Sequence, residues 1–225
     1  MVLDNIGTEY SPIMEKLQKT KKVLFVENES DAQFLKIFCD KISRTIWPDI
    51  TIWASANKHK ERKQFFLQIK DKIQGLKAIS LNDRDNELYE KVTAQLNLNG
   101  YPDLQEVNSV LKYRTWRRWE MESYLLCPSA MARLLHKADS SKSVEEWNSE
   151  IVNFILTNLS YVFPADYLQS DRTPSNRWMF DGEAKAILYP ICEQFSLNKF
   201  DIAKEMKENE IFEDVKTLIS EIVAL

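Results

Sequence analysis

Lys22-Val23-Leu24-Phe25-Val26-Glu27-Asn28-Glu29-Ser30-Asp31 decides the fold: a short apolar run ends in a carboxylate, and a polar turn leads straight into a helix. That helix carries its buried stripe on Phe34, Leu35, Ile37 and Phe38, with Ser30 or Asp31 as its cap. The same arrangement returns at Ala78-Ile79-Ser80-Leu81-Asn82-Asp83-Arg84-Asp85, where a third strand again delivers acids. Between them, Ile50 to Trp53 predicts a second strand after Pro48. His59 to Ile73 predicts a charged amphipathic helix with Phe65, Phe66 and Ile69 facing inward, ended by Gly75. A helix from Glu87 to Gln95, a turn at Asn99-Gly100-Tyr101-Pro102 and a fourth strand from Val107 to Lys112 complete the pattern. Strand and helix alternate throughout, and a parallel connection needs a long crossover, so the expected fold is α/β: a parallel sheet flanked by helices.

Around this core the chain divides into a polar lead-in over 1–21, an α/β core over 22–128 and a mainly helical C-terminal part over 129–225. The lead-in holds a short helix from Ser11 to Lys19, with Pro12 at its first position. In the C-terminal part, Val144 to Leu156, Glu183 to Phe195 and Glu210 to Val223 have helical periodicity. The 225 residues, 44% of them hydrophobic, are ample for a buried centre. No apolar stretch approaches the roughly 20 residues of a membrane helix, and the first residues lack the apolar core of a signal peptide. The cytoplasm is the expected address. Cys39, Cys127 and Cys192 are widely spaced beside apolar residues, which predicts buried thiols and not a zinc site. Trp47, Trp53, Trp147 and Trp178 read as core.

A net charge of −4 and a pI near 5.4 exclude a protein that coats nucleic acid through a broad positive field. A local site is still allowed. Basic residues cluster at Lys16 to Lys22, Lys58 to Lys63 and Lys112 to Arg118, and solvated helix faces account for most such clusters. Only the third interleaves aromatics, Tyr113, Trp116 and Trp119, with Arg114, Arg117 and Arg118, a mixture suited to phosphate contact and base stacking.

In a parallel sheet the carboxyl ends of neighbouring strands lie side by side, so acids distant in sequence can converge on one crevice. Converging carboxylates repel unless a cation joins them, and hard oxygen ligands suit Mg²⁺ or Mn²⁺. The order of these elements, strand-Glu27 followed by strand-Asp83-x-Asp85, resembles the toprim domain, the metal-binding fold shared by bacterial primases, type IA and II topoisomerases and certain nucleases. Glu120-Met121-Glu122-Ser123-Tyr124-Leu125-Leu126 is similar to the E-x-E-x-Y-L-L segment of the toprim nucleases that accompany ABC-type ATPases. These form the overcoming-lysogenization-defect (OLD) group and its relatives in antiphage systems such as PARIS. Trp178-Met179-Phe180-Asp181-Gly182-Glu183-Ala184-Lys185 is similar to the short Gly-Lys element near the end of that module, although two residues separate Gly182 from Lys185 here. Together these cover roughly residues 22 to 190. One departure is Asn28, where most toprim chains have glycine; asparagine tolerates the left-handed conformation that the turn is expected to need.

The resemblance implies a divalent-metal-dependent endonuclease. Glu27, Asp83 and Asp85 would be metal ligands, Asp31 would serve a second ion, and Glu122 would be a further ligand. Lys185 would lie over the scissile phosphate and stabilise transition-state charge. Two Mg²⁺ or Mn²⁺ ions are the implied cofactors. Each residue also has a plainer role. Asp31 is a first-turn acid worth on the order of 1 kcal/mol as a helix cap. One of Glu120 and Glu122 would pair with Arg117 or Arg118, Lys185 would be exposed at a helix start, and Glu29 and Glu87 would cap or face solvent. His59 and His136 have no partner of Ser-His-Asp or Cys-His type.

No G-x-x-x-x-G-K-[ST] run is present, so the implied ABC-type ATPase would be a separate subunit or a fused domain. The implied substrate is DNA or RNA, tRNA included, in bacterial antiphage defence, and no membrane is implied. Two other classes compete: a non-catalytic toprim-like module that binds an ATPase or nucleic acid, and a Mg²⁺-dependent phospho-receiver-like signalling domain.

Overall fold

Four strand segments pair into one all-parallel sheet. A computed structural model describes residues 11–42, 45–85, 87–100, 110–159 and 183–225, apart from the side chains of Ser11 and Tyr89. Strands β1 (Lys22–Val26), β2 (Thr51–Ala54), β3 (Lys77–Asn82) and β4 (Leu111–Thr115) lie in the order β2-β1-β3-β4. Phe25 stands opposite Trp53 on one side and Ser80 on the other, and Leu81 stands opposite Arg114.

Alternation along β1 fills two cores. Val23 and Phe25 pack with Met14 and Leu17 of α1 (Ser11–Thr20) and with Phe66 and Ile69 of α3 (His59–Lys70). Leu24 and Val26 face the other side, where α2 (Glu29–Cys39) supplies Phe34, Leu35 and Phe38. Both faces are covered, which is why the strands read as continuous apolar runs.

The second core extends without a break into the C-terminal helices: α4 (Pro128–Ala138), α5 (Val144–Asn158), α6 (Lys185–Gln194), α7 (Lys199–Glu205) and α8 (Glu213–Val223). Met131, Ile151, Leu188, Ile202 and Leu218 are all buried in it. Ser143 caps α5: its hydroxyl accepts from the Glu146 amide at 3.2 Å, and the Glu146 carboxylate accepts from the Ser143 amide at 2.6 Å. Arg133 on α4 reaches Glu205 at 3.3 Å and Glu210 at 2.5 Å, which fastens α4 to the chain around α7. Among the described residues no helix is long and apolar enough to cross a membrane.

Three expectations need correction. The helix expected from Glu87 to Gln95 is a single 3₁₀ turn at Tyr89–Lys91, followed by an antiparallel bridge between Val92 and Leu98. Thr93 drives this: its hydroxyl accepts from the Asn97 amide at 3.2 Å, its carbonyl accepts from the Leu96 amide at 2.9 Å, its own amide donates to the Asn97 carbonyl at 2.9 Å, and Leu96 closes the turn at φ +62. Strand β4 runs on to Thr115, past Lys112, and residues 107–109 of the expected strand lie outside the described residues. Helix α8 starts at Glu213 and not at Glu210, since Glu210 belongs to a 3₁₀ turn where Arg133, Ser129 and the Lys207 amide hold its carboxylate. Burial is as expected for Cys39, Cys127 and Trp53, while Cys192, Trp47 and Trp147 are half-buried. Trp178 lies outside the described residues.

Candidate functional site

Strands β1 and β3 are neighbours and run the same way, so Glu27 and Asp83 leave the sheet side by side. The Asp83 backbone N–H donates to Glu27 Oε1 at 3.2 Å. Lys58 Nζ donates to the same oxygen at 3.0 Å and to Asp85 Oδ2 at 2.9 Å. Asp31 is buried one helical turn after Glu27, and its Oδ2 accepts from the Asn28 amide at 3.0 Å. Asn28 is thus the N-cap of α2 and Asp31 its third residue, so neither Ser30 nor Asp31 is the cap. Asn28 is extended, with φ −134, which corrects the expected left-handed turn. Asp85, in the turn after β3, is left-handed instead, at φ +51.

The turn after β3 is stitched to the segment after β4. The amides of Arg84 and Asp85 both donate to the Trp119 carbonyl, at 3.1 and 3.3 Å, and the Arg84 guanidinium lies 5.6 Å from the Trp119 ring centre. This brings Glu120 and Glu122 to the same end of the sheet. Lys185, at the start of α6, donates its backbone N–H to Glu120 Oε1 at 2.8 Å and its ammonium to Oε2 at 2.5 Å. Glu122 accepts from Lys199 at 3.1 Å and stands 3.8 Å from Lys185. Glu120 and Glu122 therefore pair with lysines of the C-terminal helices, not with Arg117 or Arg118 as expected.

Electrostatics follow from this crowding. Burial, then the charges of Asp31 and Glu27, push the Asp83 carboxyl up to about 8, against the pull of Lys185. Burial chiefly, with Glu122 and Glu27 adding to it, pushes Asp31 up to about 6 despite its backbone hydrogen bond. Lys185 is raised above the ordinary lysine value: burial opposes its charge, but Glu120 and Glu122 outweigh it.

Beneath the acids lies a buried base that the sequence reading missed. Arg62 donates to the Leu81 carbonyl at 2.7 Å, to Asn82 Oδ1 at 2.6 Å and to the Ser55 carbonyl at 2.9 Å. Burial lowers it to about 10, and Glu27, Asp31 and Asp83 hold it from falling further. His59 lies beside it against Ser80 at 2.8 Å and Thr115 at 3.3 Å, and burial lowers it to about 3, so it is neutral. Arg62, Phe66, Ile69 and Ile73 fall on one helical stripe, a spacing that could have singled out Arg62 as inward-facing. The role of Lys58 had no such signal beyond its place in a charge run.

Among the described residues no three Asp, Glu, His or Cys side chains converge closely enough to hold an ion as they stand. The donor chemistry nevertheless fits a hard dication: Glu27, Asp31 and Asp83 offer only carboxylate oxygen, the charge of Glu27 adds to the proton affinity of Asp31 and Asp83, that of Asp31 adds to Asp83, and Asp85 stands one lysine away. Ammonium groups supply the counter-charge in this arrangement.

The proposed nucleic-acid contacts require correction. Arg114 is buried and grips Glu221 of α8 with two hydrogen bonds of 2.6 and 2.9 Å. Arg118 is buried with its guanidinium 3.9 Å from the Phe212 ring centre and 5.2 Å from that of Tyr124. Tyr113 and Trp116 are core. Arg117 is half-buried, and its charge lowers the carboxyl of the half-buried Asp214 against the effect of burial. Arg114 and Arg118 are thus buried in ties between the β4 segment and the helical layer and are not available to a phosphate. Glu29 is exposed in the first turn of α2, Glu87 pairs with Lys91 at 3.0 Å, and Gly182 lies outside the described residues.

The chain matches no protein-family model, no curated protein and no solved structure.

Proposed function

We propose that this protein is a divalent-metal-dependent hydrolase of nucleic-acid phosphodiester bonds. One observation carries the reading: Glu27 and Asp83 leave adjacent parallel strands, touch through the Asp83 amide and, with Asp31, form a carboxylate group whose mutual repulsion calls for a cation. Glu27, Asp31, Asp83 and Asp85 would hold the ion; Glu122 is already engaged by two lysines. A bound dication supplies charge shielding for the phosphodiester and a water of lowered pKa.

The chain's own residues do the rest. Glu120 holds the Lys185 backbone and ammonium together, so the lysine is a fixed positive charge beside Asp83, placed to meet a phosphate oxygen. Arg62 keeps the strand ends in register by its bonds to Leu81, Asn82 and Ser55. The resemblance of the Glu27, Asp83-x-Asp85 and Glu120-x-Glu122 segments to toprim nucleases supports an ABC-type ATPase as partner, antiphage defence as setting and the cytoplasm as location.

The test pairs binding with cleavage. Titration of Mg²⁺ and Mn²⁺ into the wild type should show binding that Asp83→Asn and Glu27→Gln abolish. Cleavage of DNA or RNA should fall by roughly a hundredfold or more in either variant, the size expected when a group that stabilises the transition state is lost. Wild-type protein that binds neither ion overturns the reading. The paired state of Lys58 favours a second reading, a non-catalytic binding module, and cleavage that survives both substitutions would select against the proposed site.

A further inference from the structure

Lys58 stands between Glu27 and Asp85 and pairs with both. Its backbone is fixed independently of its side chain: the Lys58 amide donates to Glu61 Oε2 at 3.1 Å, and its carbonyl accepts from the Arg62 amide at 3.1 Å. The start of α3 is in turn locked to the sheet by buried His59 and Arg62. From this fixed base the ammonium reaches Glu27 at 3.0 Å and Asp85 at 2.9 Å. Asp85 meets it from a left-handed backbone, φ +51, a conformation that non-glycine residues adopt at a cost.

The geometry points to Lys58 as a resident counter-ion that a divalent cation displaces from Glu27 and Asp85 as it enters. This rests on the metal reading above and adds to it the device that keeps the acids compensated before the ion arrives. Exposure decides whether displacement is feasible. The Lys58 side chain is 53% exposed, against 17% for Glu27 and 50% for Asp85, so its grip is that of a surface ion pair and a dication outcompetes it. Charge explains why the site needs such a device: with the ammonium removed, Glu27 faces Asp31 and Asp83 with one fewer positive charge nearby. It also accounts for the geometry, since an ammonium bridging Glu27 and Asp85 holds those two carboxylates on itself and not on a common centre with Asp83.

The test is calorimetric titration of Mn²⁺ into chelator-stripped full-length protein at constant pH, comparing wild type with Lys58→Met and Lys58→Gln. Removing the competitor should tighten Mn²⁺ binding about 1.5- to fivefold, the range that loss of a surface ion pair spans. Lys58→Arg, which keeps a cation there, should bind as wild type or more weakly. A second readout follows the lysine itself: acetylation by an activated ester, quantified at each lysine by mass spectrometry. Lys58 labelling should rise when Mn²⁺ is added to the wild type and not in Glu27→Gln, while Lys204, which sits on Asp201 far along the chain, stays unchanged. Equal Mn²⁺ affinity in wild type and both neutral variants, or weaker affinity in them, overturns the role of Lys58 and leaves the metal reading standing. Absence of Mn²⁺ binding in wild type and variants alike overturns both. Should the neutral variants lose their fold, Lys58 acetylation that is indifferent to Mn²⁺ in the wild type overturns the proposal by itself.

Discussion

Asp83 is a residue whose ionisation is at odds with its surroundings. Its folded value of about 8 lies above the ordinary 3.8, so the stability it contributes is complete below pH 3.8 and lost as pH rises through about 8. Two neighbours blur the lower part of that range. Asp31, raised to about 6, adds a loss of the same sign below pH 6, while His59, lowered from 6.5 to about 3, gains stability as pH rises from 3 to 6.5. Between pH 6.5 and 8 Asp83 stands alone among the three. In chelator, urea unfolding should show stability falling across that window, by at most about 1.4 kcal/mol per pH unit for one proton, and Asp83→Asn should flatten the slope. Saturating Mg²⁺ or Mn²⁺ should raise the melting temperature of the wild type more at pH 8 than at pH 6.5, and should not do so for the asparagine variant. A melting temperature indifferent to both ions would count against a cation at this place.

At the level of elements, the strands of the acid pair and their helices were legible from pattern alone, and the pieces that complete the site were not. Strands β1 and β3 announce themselves as apolar runs ending in Glu27 and Asp83, and parallel pairing follows from the helices between them. The arginines after Lys112 show the limit. Their alternation with Tyr113 and Trp116 fits a stacking surface and a strand that alternates between two buried layers equally well, and only the partner across the fold decides. That partner is Glu221, on a helix distant in sequence from β4. Lys199 and Glu122 meet for the same reason, beyond the reach of local periodicity. Since Arg114 is 6% and Glu221 20% exposed, Arg114→Ala should destabilise by roughly 3 kcal/mol by stranding a carboxylate. Arg114→Met combined with Glu221→Met should recover most of that loss, and chemical denaturation of the two variants measures it. Ser143→Ala, which removes the α5 cap, should cost about 1 kcal/mol in the same assay.

On the scale of the molecule, one apolar core joins the sheet to the last helix. Leu24 and Val26 of β1 share it with Leu188 of α6, Ile202 of α7 and Leu218 of α8. The compositional change near Ser129 therefore marks a change of secondary structure and not a break in packing. Unfolding should be a single transition by both tryptophan fluorescence and circular dichroism, and a chain ending at Cys127 should lose it, because Phe34, Leu35 and Phe38 would face water. Acid unfolding should draw in Glu210 as well. Its carboxyl is held down to about 2 by Arg133, the Lys207 amide and Ser129 in spite of burial, so its contribution is present above pH 4.5 and lost as pH falls through about 2. Glu210→Gln should weaken that low-pH dependence.

The order β2-β1-β3-β4 also fixes a sequence of events during synthesis. Of these four strands the first made is an inner one, and both of its neighbours are translated later. Glu27 emerges early, Asp83 only after two crossovers, and the lysine that Glu120 grips comes later again. A nascent chain on the ribosome therefore carries Glu27 and Asp83 well before the cluster closes around them.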